Sequence, residues 1–181
     1  MTSAHAPSPA SSKLDVAAVQ AALVADGIDA WLLYDFRGLN PIAATVAAVG
    51  QQGGHLATRR WFYWVPAKGA PIKLVHRIEA EMLDSLPGER RSYSTWRELH
   101  EQMREMLSGV RRIAMQYSPL CALPAVSMVD AGTVELVRSF GIEVLSSSEL
   151  VQYFEARWTP AQYEMHLEAG RRVDGVLDVA F

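Results

Sequence analysis

Cysteine is nearly missing from these 181 residues, where Cys121 stands alone. With no partner thiol, an intrachain disulfide framework and a cysteine-based zinc site are both excluded. Lysine is scarce as well, limited to Lys13, Lys68 and Lys73, so the cationic charge rests on arginine. A formal net charge of -3 and a pI near 5.9 generate no field that would gather nucleic acid or an anionic membrane surface. No stretch reaches the ~18 apolar residues that span a bilayer. Residues 1–12 are rich in Ala, Ser and Pro, lack the basic start and apolar run of a signal peptide, and read as a solvated, disordered leader. A cytoplasmic location is the expectation that fits these absences. Two catalytic signatures are lacking too. Gly50, Gly53 and Gly54 are followed by no Gly-Lys-Ser/Thr, and no Gly-x-Ser-x-Gly elbow occurs.

What is present describes a soluble globular domain. Half the residues are apolar and a fifth are charged, and a chain of this length can bury roughly 70% of its unfolded surface without a staple. Ser12 with Asp15 predicts a capping box for a helix whose Val16, Val19 and Leu23 share a face and which stops at Asp26-Gly27. The apolar run 28–34 predicts a buried strand. Asn40 before Pro41 supplies an N-cap and a first helical residue for a helix within 38–49. Residues 55–65 read as an aromatic strand stopped by Pro66, and 72–76 as its return, which makes a hairpin. A short helix or turn follows at 78–83.

Thr95 with Glu98 forms a second capping box, opening a helix with a Leu99, Met103, Met106 and Leu107 stripe and an end at Gly109. A strand at 112–117, a loop at 119–124, a helix at 130–140 and a strand at 142–145 come next. Ser146 with Glu149 caps a short helix through Ala156. Helix and strand alternate throughout, which predicts an α/β fold, a mixed sheet flanked by helices in a three-layer-like arrangement. At Thr159-Pro160-Ala161-Gln162 a third capping box opens a last helix, on which Tyr163, Leu167, Gly170, Val173, Leu177 and Phe181 share a face. That stripe runs to Phe181 without a C-cap, the pattern of a helix that continues.

Taken in order, these pieces resemble the N-terminal domain of the creatinase/prolidase/Xaa-Pro aminopeptidase metallopeptidases. The resemblance is carried by the leading helix, by Ala30-Trp31-Leu32-Leu33-Tyr34, by Asp35-Phe36-Arg37-Gly38-Leu39-Asn40-Pro41, by the arginine pair and aromatics of 58–64, and by the helix start at Thr159, with Arg171 and Arg172 further along. It implies a ribonuclease H-like domain over 13–157, then a linker and the first helix of a truncated pita-bread catalytic domain over 158–181. In such enzymes two divalent metal ions (Mn, Co or Zn) are held by two Asp, one His and two Glu of the catalytic half. None of those ligands is assigned to this chain. The implied role is non-catalytic: subunit contacts in a homodimer, and walls for the cleft in which a metal-dependent enzyme hydrolyses an Xaa–Pro bond. A freestanding α/β binding or dimerisation module, and the N-terminal domain of a creatinase-like amidinohydrolase, are the alternatives.

Arg37, His55, Arg59, Arg60 and Trp64 are the candidate cleft residues. Alternation along a strand begun at His55 puts His55, Ala57, Arg59 and Trp61 on one face. A guanidinium at such a strand start can grip a peptide carboxylate as a fork, with Arg37 joining from the end of the preceding strand. Trp64 belongs to an aromatic run, 61–64, readable as a cleft wall. The plainer readings are solvated or ion-paired arginines, with Asp35, Glu79 or Glu81 as partners, and a strand buried on both faces. His76, His100 and His166 have no second ligand at metal spacing on a shared face, and Cys121 in its proline-flanked loop reads as filler.

Overall fold

The computed structural model describes residues 14–49 and 57–181. The leader at 1–12, the glycine turn at 50–54 and His55 lie outside the described residues. Two compact units divide the chain, Met1–Leu150 and Val151–Phe181.

The first unit is built on a six-stranded mixed sheet of order β4-β3-β2-β1-β5-β6. Its strands are β1 (Ala30–Asp35), β2 (Trp61–Pro66), β3 (Ile72–His76), β4 (Glu89–Tyr93), β5 (Arg112–Met115) and β6 (Glu143–Ser146). The hairpin is present: β2 runs antiparallel to both β1 and β3, while β1–β5, β5–β6 and β3–β4 are parallel. All strands except β2 therefore end at one edge of the sheet, and β2 starts there.

Helices α1 (Val16–Asp26), α2 (Pro41–Val46), α3 (Trp96–Met106) and α4 (Ala131–Ser139) flank the sheet. Leu32, Tyr34, Phe62, Trp64 and Leu74 pack with Leu99, Met103, Val134 and Val137 from α3 and α4. The alternate residues Trp31, Leu33, Trp61 and Tyr63 are buried too, and α1 and α2 pack on β1 and β2. That double burial is why β1 reads as a continuous apolar run rather than an alternating one.

Several boundaries differ from expectation, each for a physical reason. The first helix is capped by Asp15, whose carboxylate accepts the Ala18 N–H; Ser12, read as its cap, lies outside the described residues. β2 begins at Trp61, not His55, because the chain at Thr58 and Arg59 is held off the sheet by Glu79. β4 was not foreseen: Glu-Arg-Arg-Ser-Tyr carries no apolar alternation, since an edge strand needs none and its charges discourage further pairing. Ser146 ends β6, and its hydroxyl accepts the Ser148 N–H at the start of α5 (Ser148–Glu155). The Thr95/Glu98 capping box is formed as read, with Leu99, Met103 and Met106 buried.

In the second unit, α6 (Pro160–Ala180) opens with the Thr159/Gln162 capping box formed in both directions. Trp158 lies against His166, ring centroids 4.4 Å apart, and near Tyr163. Glu168 pairs with Arg171 and Arg172. Among the described residues no helix is long and apolar enough to cross a membrane.

Candidate functional site

The edge where β1, β3, β4, β5 and β6 end gathers the polar side chains that the rest of the sheet excludes. Asp35, the last residue of β1, is buried and shapes the turn after it. Its carboxylate accepts the Gly38 N–H at 2.9 Å and the Asn40 N–H at 2.7 Å. The turn carries two residues in the left-handed region, Arg37 at φ 59 and Gly38 at φ 74; the first is costly for a side chain with a Cβ and is held by those two bonds. Asn40 is fully buried. Its Oδ1 caps α2 at the Ala43 N–H, and its Nδ2 donates to the Tyr34 carbonyl and to Gln116 Oε1. Gln116 Nε2 in turn donates to Ser147 Oγ. This network ties the ends of β1, β5 and β6 together, and Arg37 is presented outward from it, over the Phe36 ring at 5.8 Å.

Glu79, in the turn after β3, fixes the chain that enters β2. One of its oxygens accepts both the Thr58 N–H and the Thr58 hydroxyl; the other accepts the Arg59 N–H at 3.1 Å. Burial pushes this carboxyl up, but the Thr58 hydroxyl, the two N–H groups and the Arg59 charge outweigh it and hold the group below the usual carboxylate range. Arg59 is exposed and Arg60 half-buried. The Arg60 carbonyl accepts the Tyr93 hydroxyl at 2.6 Å. Burial pushes the Tyr93 phenol up to about 12, with the Arg60 charge opposing.

The structure therefore brings Arg37, Arg59 and Arg60 to one edge, because Asp35 pairs with Trp61 and the chain leaves β1 beside the chain entering β2. None of the three guanidinium groups is ion-paired with a carboxylate among the described residues. Asp35 and Glu79 are spent on backbone N–H groups instead of on the arginines. Trp64, 3% exposed, packs in the core in the middle of the sheet. Arg59 lies before β2, so the proposed alternation with Trp61 does not exist. His55 lies outside the described residues.

Sequence reasoning missed Gln116 and Asp130. Gln116, a polar residue ending an apolar strand run, is the one visible signal of the network; Asp130 was read only as the start of a helix. His76 is occupied structurally, its Nδ1 accepting the Ile78 N–H and its Nε2 contacting the Ser94 carbonyl at 3.3 Å. Among the described residues no group of three or more His, Cys, Asp or Glu side chains is placed to hold a metal ion. Among the described residues the edge offers cations for an anion and shows no nucleophile–base pair.

Solved structures share this architecture. The described chain superposes on the creatinase/prolidase N-terminal domain of an X-Pro dipeptidase from Streptococcus pyogenes with a TM-score of 0.57, at 13% identity, covering 79% of this chain and 100% of that one. A proline dipeptidase structure from Streptococcus pneumoniae gives 0.59 at 13% identity, covering 80% of this chain and 98% of that one. The fold is that of the creatinase/prolidase N-terminal domain. The prolidase of Pyrococcus horikoshii OT3 also matches, with a TM-score of 0.55 at 13% identity over 82% of this chain, and the chain spans 37% of its length. No protein-family model matches the sequence, and no curated protein does. The creatinase/prolidase N-terminal fold thus emerges from backbone geometry at an identity where sequence comparison falls silent.

Proposed function

We propose that this chain is the non-catalytic N-terminal domain of a metal-dependent Xaa-Pro peptidase, an aminopeptidase or dipeptidase of the cytoplasm. The observation that carries the reading is one of coverage: the chain covers 100% of the creatinase/prolidase N-terminal domain from Streptococcus pyogenes but only 37% of the prolidase of Pyrococcus horikoshii. In this reading the sheet edge bearing Arg37, Arg59 and Arg60 forms part of the cleft wall, where unpaired guanidinium groups hold the carboxylate of a peptide substrate. Subunit contacts in a homodimer are its second role. In this reading two divalent ions, Mn, Co or Zn, are held by a separate catalytic domain and none by this chain.

The test is hydrolysis of Xaa–Pro dipeptides and tripeptides with added Mn²⁺, Co²⁺ or Zn²⁺, by this chain alone and by a chain that carries the catalytic domain after it. Turnover only by the longer protein supports the proposal. Turnover by the 181-residue chain overturns it, and silence from both points to a creatinase-like substrate or a pure binding module.

A further inference from the structure

The turn after β1 puts an arginine where the backbone disfavours one. Arg37 and Gly38 hold its two central positions, at φ 59 and φ 74, and the Leu39 N–H donates to the Phe36 carbonyl at 3.2 Å to close it. Two positive φ values in succession are the pattern of a type I′ turn, whose first central position is dominated by Asn, Asp and Gly. A side chain with a Cβ is strained there. Among the described non-glycine residues at positive φ, Arg37 alone is cationic. The strain has a visible cause. Asp35, buried at the end of β1, accepts the Gly38 N–H at 2.9 Å and the Asn40 N–H at 2.7 Å, which folds the chain tightly around position 37. Phe36 packs against the core, and the guanidinium of the exposed Arg37 lies over its ring. The cation is thus set on an anchored platform, and no carboxylate of the described residues is ion-paired with it. Backbone strain of this kind persists where the surroundings over-determine it, and it gathers at ligand clamps.

We propose that Asp35 is a positioning residue and Arg37 the group it positions, a strained clamp that makes this edge select peptides with a free carboxylate over their amides. The inference rests on the peptidase reading for its ligand, and adds to it which arginine the fold is distorted to present. A fold that needed only the turn would be served better by asparagine at position 37, because Asn-Gly is the favoured type I′ pair. The arginine stands against that local preference. What it supplies and asparagine does not is a forked donor that stays charged at any working pH. Asp35 supplies the other half of the device, since its carboxylate is engaged by two backbone N–H groups and leaves the guanidinium free for an outside anion.

The experiment sets stability against recognition. In the 181-residue chain, Arg37→Asn is expected to raise Tm by about 2–4 °C, because it relieves the turn. Glycyl-proline is expected to shift the Arg37 Nε–H signal in an NMR titration, glycyl-prolinamide to leave it in place, and Asp35→Asn to weaken the response. In the protein that carries the catalytic domain, Arg37→Asn is expected to lower the acid-over-amide ratio of kcat/KM by about tenfold or more. Asp35→Asn keeps one acceptor oxygen and loses the other. It is expected to lower both Tm and that ratio, whereas a purely structural Asp35 would lower Tm alone. An unchanged ratio in Arg37→Asn, or a fall in its Tm, overturns the proposal. So does a signal that answers inorganic phosphate but not glycyl-proline. Should Asp35→Asn misfold, Arg37→Asn still decides the matter. If the longer wild-type protein cleaves neither acid nor amide, the peptidase reading fails by itself, and the Tm and the titration of the 181-residue chain judge the clamp.

Discussion

Tyr34 donates its hydroxyl proton to Asp130 Oδ2 at 2.8 Å, joining the end of the central strand β1 to the N-cap of α4. The same carboxylate accepts the Thr133 N–H and the Thr133 hydroxyl. Burial pushes Asp130 up, but the Tyr34 and Thr133 donors outweigh it and the group sits below the ordinary aspartate value. Burial chiefly, with the Asp130 carboxylate beside it, pushes the Tyr34 phenol well above its ordinary range. Tyr34 is thus a permanent donor and Asp130 a permanent acceptor at neutral pH.

Removing the donor tests this link. Tyr34→Phe is expected to cost about 1.5 kcal/mol, and Asp130→Ala about 2–3 kcal/mol because it also uncaps α4, both read from urea denaturation. The pH dependence has a definite sign. A carboxyl depressed in the folded state contributes stability above its unfolded pKa of about 3.9, and that contribution is lost as pH falls through the lower folded value. The gap between wild type and Asp130→Asn should therefore close on acidification below pH ~4. A constant gap would remove Asp130 from the list of charged acceptors.

Asn40 offers a sharper test because both ends of its amide are used in a fully buried setting. Asn40→Ala uncaps α2 and strands the Tyr34 carbonyl, an expected loss of about 2–3 kcal/mol. Asn40→Asp keeps the cap but replaces a donor by a second carboxylate close to Asp35, which is bonded to the Asn40 N–H. Its burial disfavours the charged form, so that variant should gain stability on acidification, where wild type does not.

Gly88 and Gly69 separate backbone strain from collision. Gly88 has φ +118, and a Cβ there would meet the Pro71 carbonyl oxygen at 2.4 Å; Gly69 has φ +104 with nothing within 4 Å. Gly69→Ala should cost about 1–2 kcal/mol for conformation alone. Gly88→Ala should cost distinctly more, about 3 kcal/mol or above, because Pro71 also accepts the Glu89 N–H and cannot withdraw without breaking the start of β4. Equal thermal shifts for the two variants would contradict this.

What could be read from the sequence was local chemistry. Asn40-Pro41, Thr95/Glu98 and Thr159/Gln162 each fix a helix start through bonds that span three residues, and all three formed. The doubly buried β1 and the hairpin were legible from apolar runs and Pro66. Illegible were the features set by distant partners. Glu79 reaches back 21 residues to Thr58, which cuts β2 short and moves Arg59 off the strand. β4 exists only because β3 offers it an edge. The arginine edge was half legible: residue types drew notice to Arg37, Arg59 and Arg60, whereas their freedom from ion pairs depends on Asp35 and Glu79 being engaged by backbone.

That freedom gives the functional prediction, tested in a protein that carries the catalytic domain. Arg59→Ala is expected to raise KM several-fold on Xaa–Pro peptides with a free carboxylate and to leave the corresponding amides unchanged, since a lost fork removes binding energy only where a carboxylate is present. Glu79→Gln probes the same residue from behind. Its one amide oxygen can still accept from Thr58, but the NH₂ that replaces the other oxygen cannot accept the Arg59 N–H, so that bond is lost together with the charge that attends the Arg59 guanidinium. An Arg59 that binds substrate is then held less well, and KM should rise modestly. Glu79→Ala frees the chain before β2, and its KM should rise toward that of Arg59→Ala. If Arg59→Ala affects acid and amide substrates alike, Arg59 serves the fold and not the substrate.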